Sequence, residues 1–266
     1  MSLSKGELYT YLTNKKGQGK KGTLVASIKG VKSDALITAI EKIPLEKRKQ
    51  VKEVTLDMAN NMNLTAKICF PNAKIVTDRF HVVKLVMEAL QHLRVQYRWK
   101  AIEDENKAIA IAKKEGKKYK PIVLSNGDTI KQLLARSRYI IAKKKNDWTD
   151  NQKQRAEILF KRYPSIERAY KHTLEFRSIY EEKCKIKANQ RFEYWFKDTE
   201  KLKIKNFNTA VNSIKYHFQT ILNFFDNRST NANAESFNSK IKLFRANQRG
   251  VRDTQFFLFR LEKLFA

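Results

Sequence analysis

The chain has 266 residues and a formal net charge of +28, from 55 Lys+Arg against 27 Asp+Glu, with 42% hydrophobic residues that include 16 Phe and 10 Tyr. That is enough apolar material for a packed core and far more charge than solubility needs, which excludes a disordered basic tail and indicates a polyanionic partner, nucleic acid first. There is no apolar run of about 18 residues and no signal-peptide pattern, and Cys69 and Cys184 form no CxxC pair, so a spanning or exported protein, a disulfide framework and a thiolate zinc finger are not expected, and a reducing cytosol fits.

The first third reads as strands alternating with helices. Glu7–Leu12 and Gly22–Ile28 are β-rich runs joined by polar residues 14–21, the pattern of an antiparallel hairpin. Ser33 or Asp34 is expected to cap a helix reaching about Ile43, with Leu36, Ile37 and Ile40 at helical spacing. Val51–Asp57 reads as a strand, followed by a short helix that must stop ahead of Pro71. Ala73–Asp78 is the next strand, and from Phe80 a long helix carries Val83, Val86, Met87, Leu90 and Leu93 on one face. This order suggests an α/β fold, a mixed sheet with helices packed on it.

From about Asn106 the pattern becomes almost purely helical. Lys113, Lys114, Lys117, Lys118 and Lys120 form a charge run, and Pro121–Asp128 reads as a connector. Thr149 and Gln152 have capping-box spacing, Tyr163-Pro164-Ser165 breaks the helix they open, and Val211, Ile214, Phe218, Ile221, Leu222 and Phe225 mark one strongly amphipathic helix. The expected division is a first part of the core over 1–105, a helical insertion over 106–228 and a C-terminal helical part over 229–266.

Three acids attract attention. Asp57 and Asp78 each close an apolar strand, and the carboxyl ends of parallel strands are where ligands bind in open sheets, although an aspartate there also serves as an ordinary turn residue. Glu235 lies in the first turns of a helix that goes on to Lys240, Lys242, Arg245, Arg249 and Arg252. On a helical wheel it shares a face with Ser239, Lys242, Ala246 and Arg249, while Phe237, Ile241 and Phe244 point the other way. An acid at a helix start is favoured by the dipole alone. Inside a basic groove, however, it weakens polyanion binding unless a bound cation reverses its effect, and magnesium is commonly held by one or two carboxylates plus substrate phosphates.

The segments "VKEVTLDM", "FPNAKIVTDRFHVVK" and "STNANAESFNSKIKLFRANQRGVRDTQFFLFRL" resemble the ISL-three family of bacterial insertion-sequence transposases. The resemblance runs over nearly the whole chain and implies an RNase H-like mixed sheet with flanking helices, interrupted by a large all-helical insertion. It implies an Asp-Asp-Glu site that holds magnesium (or manganese), two ions when complete, with the family's second catalytic Asp falling on Asp57 and its Glu on Glu235. It further implies DNA, both element ends and target, as the partner, a homo-oligomer when full length, and a bacterial cytoplasmic, nucleoid-associated location. Lys240, Lys242, Arg245, Arg249 and Arg252 would contact phosphates, giving affinity rather than sequence choice. Arg79, His81, Asn231 and Asn238 fall in the most specific segments as structural or accessory residues.

The departure lies at the start. In the family the first catalytic Asp belongs to an Asp-Glu pair directly ahead of a segment similar to Ser2–Gly6, and here Met1 stands in its place. Glu7, the nearest acid, falls several residues too late and reads as an exposed strand position. The expectation is therefore an N-terminally truncated transposase. A second assignment stays open, in which Asp57, Asp78 and Glu235 form the triad themselves. His81 is one of 4 histidines, and a single histidine at a helix start is more often a hydrogen-bonding residue than a ligand. The competing class is a non-catalytic basic nucleic-acid-binding protein or an inactive transposase remnant, in which Glu235 is only a dipole-favoured acid.

Overall fold

The computed structural model describes residues 8–266. The strand expected to begin at Glu7, and the Ser2–Gly6 segment, lie partly or wholly outside the described residues. Two compact units divide the chain: one takes in the chain up to His81 and returns from Gln219 to Ala266, the other is Val82–Phe218.

The first unit opens with β1 (Tyr9–Thr13) and β2 (Leu24–Lys29), an antiparallel pair. A bulge shifts the register between Leu12, opposite Ala26, and Thr13, opposite Leu24. One extra residue reverses which face the next side chains take. Leu24 accordingly joins Tyr9 in one apolar cluster, while Ala26 and Ile28 join Leu12 in another. The helices α1 (Ser33–Ile40), α2 (Leu45–Lys49) and α3 (Asn60–Cys69) alternate with β3 (Glu53–Leu56) and β4 (Lys74–Thr77), which pair in parallel. Ser33 is the first residue of α1 rather than its cap, Lys32 precedes it without a capping side chain, and Pro44 opens the unexpected short α2. Among the described residues the strands of the anticipated mixed sheet form two two-stranded sheets within a mostly helical α/β chain. Leu36, Ile40, Cys69 and Phe70 from the helices close over Leu12, Ile28 and Val54, so both sheets share one core.

The second unit is helical. The 36-residue α4 (Arg79–Lys114) starts in the first unit and is followed by α5 (Ile130–Arg136), α6 (Arg138–Ile141), α7 (Asp150–Arg162), α8 (Pro164–Ile179), α9 (Lys185–Leu202) and α10 (Lys205–Tyr216). The capping box of Thr149 with Gln152 is formed, and Thr129 with Gln132 makes a second. The single amphipathic helix expected through Phe225 is instead three: α10, α11 (Phe218–Leu222) and α12 (Phe224–Asn227). Ile214, Ile221 and Phe225 are buried as the periodicity requires. The breaks at His217 and Asn223 carry no proline or glycine, so nothing in the apolar spacing marks them.

The chain then adds α13 (Ala232–Asn247) and α14 (Thr254–Phe265) to the first unit. Phe237 and Ile241 of α13 pack with Phe257 and Leu261 of α14 against Tyr9 and Leu24, which seats both helices on the hairpin.

Candidate metal centre

Two anchored layers bring the acids together. The parallel register ends at Leu56 opposite Thr77, and the Asp78 N–H donates to the Leu56 carbonyl at 2.8 Å. Asp57 and Asp78 therefore follow as neighbours at the carboxyl ends of adjacent strands, about 4.8 Å apart along the hydrogen-bonding direction. Each carboxylate also organises the turn behind it: Asp57 Oδ1 accepts from Ala59 N–H at 2.9 Å, and Asp78 Oδ1 from Phe80 N–H at 3.4 Å at the start of α4. The strand bearing Asp78 is held from its other side by the Thr77–Thr220 hydroxyl pair at 2.7 Å, by Asn223 Nδ2 donating to the Ile75 carbonyl at 2.9 Å, and by the Lys74–Asp226 ion pair at 2.8 Å.

The helix bearing Glu235 is fixed by the hairpin loop. Asn233 Nδ2 donates to the Lys15 carbonyl at 3.3 Å and Lys240 Nζ to the Gly19 carbonyl at 3.1 Å. Gly19 lies at φ +74°, a conformation that favours glycine, and a side chain there would displace Lys240 Nζ. Glu53 ties the same parts together. Its carboxylate pairs with Lys15 at 2.8 Å and accepts from Asn227 Nδ2 at 3.3 Å, in the segment leading to α13. Burial would raise the Glu53 carboxyl, but hydrogen bonds from Lys15, Ser229 and Asn227 outweigh it and hold it below the ordinary carboxylate range.

The result is a group of three: Asp78, His81 and Glu235, each offering a ligand atom, with those atoms all within 4.8 Å of one another. Asp78 is 2% exposed. His81 Nε2 and Glu235 Oε1 are 3.7 Å apart, and their side chains are 33% and 46% exposed. Asp57 is adjacent by strand register but is not one of the three. Among the described residues no lysine or arginine forms an ion pair with Asp57, Asp78 or Glu235, in a chain whose bases outnumber its acids about two to one.

The other anticipated residues distribute differently. Lys242 and Arg252 are exposed and Arg245 is half-buried, whereas the Lys240 ammonium is engaged by Gly19. Arg249 does not continue the Glu235 face. The helix ends at Asn247, Arg249 turns to φ +55°, and Gly250 N–H donates to the Arg245 carbonyl, closing the helix with a left-handed turn. Arg249 and Arg252 thus sit in the connection to α14. The Arg79 guanidinium lies 5.9 Å from the Phe224 ring centroid, and Asn231 precedes α13 without a side-chain capping bond. Asn238 is half-buried on α13.

A family model described as a transposase, of the ISL-three DDE type, matches residues 1–261. The chain belongs to this family. It is also similar to the transposase for insertion sequence element IS1001 of Bordetella parapertussis, with 21% identity over 226 residues, 85% of this chain and 50% of that protein. The chain therefore spans half the length of this curated relative. No solved structure gives a significant match. No helix of the described residues is long and apolar enough to cross a membrane.

The DDE transposase family uses a divalent metal, and the group at Asp78 fits one. Two carboxylates and an imidazole are a divalent-ion donor set, and metal bonds of about 2.0–2.2 Å place donors no more than roughly 4.4 Å apart. The half-buried His81 and exposed Glu235 side chains need only a small adjustment from the observed span. Sequence reasoning gave His81 mainly a structural role and did not single out Glu53, Lys15 or Asn233. A signal for His81 was available in its spacing, three residues beyond Asp78 across a helix start, which puts both on one side of the first turn.

Proposed function

We propose that this transposase chain carries out the phosphodiester chemistry of DNA transposition, hydrolysis at insertion-sequence ends followed by joining of the freed 3′-hydroxyl to target DNA, at the carboxylates of Asp57, Asp78 and Glu235. The observation that carries this reading is the convergence of Asp78 and Glu235, distant in sequence, on one point with His81, where among the described residues no lysine or arginine pairs with them. A divalent ion, magnesium or manganese, supplies nucleophile activation and charge stabilisation at phosphorus when bound. Asp57 and Glu235 are the ligands that the family motif carries over, and Asp78 joins them on geometry. The chain's part is positioning. The hairpin loop and Glu53 set the height of α13, α11 and α12 brace β4, and Lys242, Arg245, Arg249 and Arg252 draw in and orient the phosphate backbone.

The same proposal reads residues 1–105 with 229–266 as an RNase H-like core and residues 106–228 as its helical insertion. Support comes from the strand pairing: among the described residues β1 pairs with β2 and β3 with β4, while the Lys15–Glu53 pair joins the end of β1 to the start of β3. A further strand between them, antiparallel to β1 and parallel to β3, would merge the pairs into one mixed sheet and end beside Asp57. In the family such a strand carries the Asp-Glu pair.

The test is metal-dependent cleavage of duplex DNA bearing the element's ends. Cleavage abolished by Glu235→Ala and Asp57→Ala, with DNA affinity retained, supports the proposal. Asp78→Ala decides whether that acid is required. DNA binding with no cleavage by this chain, and none by a form extended upstream to include the Asp-Glu strand, would leave a non-catalytic DNA-binding protein. The extended comparison also bears on the sheet: cleavage only by the longer form favours the added strand.

A further inference from the structure

Resting on the metal reading above, we infer that His81 is itself a metal ligand and that the Asp78–His81–Glu235 site therefore selects a first-row transition ion of the manganese class over magnesium. The donor set carries the argument. Magnesium is a hard ion that takes oxygen ligands in near-ideal octahedral geometry and keeps several waters. Imidazole nitrogen favours first-row transition ions over magnesium, while carboxylate and water suit magnesium, calcium and manganese alike. A divalent transition ion such as manganese is accommodated by both halves of this donor set, and magnesium by the oxygen half alone.

The geometry opposes the simpler role of a histidine bonded to a glutamate. His81 Nε2 stands 3.7 Å from Glu235 Oε1, beyond the 2.7–3.2 Å of an N–H···O hydrogen bond. A direct bond would close that distance, whereas two ligands in adjacent positions on one ion are held at about 3 Å or more by metal bonds of roughly 2.1 Å each. Asp78 adds a third atom within the same 4.8 Å and is itself buried, so its carboxylate is fixed while the two more exposed partners move. The ring of His81 is steadied by an edge-to-face contact with Phe80, centroids 5.6 Å apart. His81 is also fixed to Asp78 through the start of α4, so its donor does not depend on substrate.

The full chain, purified and stripped of metal, is titrated with Mn²⁺ and with Mg²⁺ by calorimetry, and bound Mn²⁺ is examined by pulsed electron paramagnetic resonance for coupling to a histidine nitrogen. Wild type is expected to bind Mn²⁺ about 10-fold or more tightly than Mg²⁺ and to show the nitrogen coupling. His81→Asn is expected to lose about 10- to 100-fold in Mn²⁺ affinity, the scale of losses at perturbed metal sites, with Mg²⁺ affinity changed by a factor of about 3 or less and the nitrogen signal gone. Absence of nitrogen coupling in wild type, or equal weakening of both ions in a His81→Asn chain with an unchanged melting curve, overturns the inference. If wild type binds neither ion, or Glu235→Gln leaves Mn²⁺ binding intact, the metal reading of the site fails, and this outcome is distinguishable from loss of selectivity alone.

Discussion

Each compact unit buries an aspartate, and the two are treated in opposite ways. In the helical unit Asp128 is fully buried and accepts from Arg136, from Arg155 at 2.6 Å and from Asn126 at 2.9 Å. Arg191 likewise spans Glu175 at 2.6 Å and Glu182 at 2.7 Å. In the other unit Asp78 is nearly as buried as Asp128, yet receives a 3.4 Å bond from one backbone N–H and no basic side chain among the described residues. Closed networks serve the fold, because a buried charge costs several kcal/mol unless paired. An acid left open in a strongly basic chain keeps its charge available to something that arrives from outside. The difference teaches where to look for function: in the carboxylates that the surrounding lysines and arginines have not neutralised.

The largest expected effect breaks a closed network. Burial would raise the Asp128 carboxyl, but Arg155, Asn126 and Arg136 outweigh it and hold it below the ordinary range. Asp128→Ala leaves two guanidinium partners without their acceptor, and we expect a loss of about 3–5 kcal/mol, the usual cost of breaking a buried pair. Chemical denaturation monitored by far-ultraviolet circular dichroism would measure it. A loss below about 1 kcal/mol would remove the contrast between the units.

Next in size is a pH effect in the same unit. His172 stacks on Trp195 with centroids 4.6 Å apart, and its Nε2 lies 2.6 Å from the Thr199 hydroxyl. Thr199 spends its proton on the Trp195 carbonyl at 2.8 Å, so Nε2 carries the ring hydrogen. Burial pushes His172 down to about 4, against the upward pull of Asp198 and Glu175. The folded state thus binds this proton less readily than the unfolded state. Its stabilisation is complete above the unfolded value of about 6.5 and is lost as pH falls from there through about 4, roughly 3 kcal/mol in all. Replacing His172 with Gln should flatten that portion of the stability curve. An unchanged slope between pH 6.5 and 4 would assign the loss to other groups.

Much of this contrast is legible in the amino-acid sequence. The hairpin, the parallel strands ending in Asp57 and Asp78, and the Thr149 capping box followed from alternation and spacing, because those signals are local. Phe237 and Ile241 were correctly placed on the buried side of α13 by periodicity. What differs is also local: the breaks at His217 and Asn223 that split the expected helix carry no glycine or proline, and Arg249 falls beyond a helix end because an arginine, not a glycine, takes the left-handed position at φ +55°. The meeting of His81 with Glu235 was invisible for another cause. It depends on Lys15, Glu53, Asn233 and Gly19 setting the position of α13, and tertiary contacts of that kind leave no periodicity.

Within the basic face a smaller effect separates free from engaged cations. Removing one cation that neutralises a phosphate should reduce the salt slope of DNA binding by about 0.9. Lys242→Gln with Arg252→Gln should therefore flatten log K against log salt by roughly 1.8, twice that increment. Lys240→Gln should act mainly by loosening the bond to the Gly19 carbonyl, lowering affinity with less change in slope. Equal slope changes per residue would show that Lys240 meets phosphate as the others do.

The smallest expected effect is the most discriminating. If Asp78 is open because the site awaits a cation, neutralising it should cost the metal-free fold almost nothing. Asp78→Asn keeps the shape and an acceptor oxygen for Phe80 N–H, and removes a buried charge that among the described residues no lysine or arginine offsets. Burying an unpaired charge is itself unfavourable, so in a chelator the variant should match wild type or exceed it by about 0.5–1 kcal/mol. Adding Mn²⁺ should then stabilise wild type and not the variant, by about 2.7 kcal/mol at 100 times the dissociation constant. The two halves check each other. A large loss in chelator would make Asp78 a structural acid like Asp128, and equal stabilisation of both forms by Mn²⁺ would move the ion elsewhere. The predicted pairing, neutral without metal and deficient with it, is what a carboxylate kept for a ligand should give.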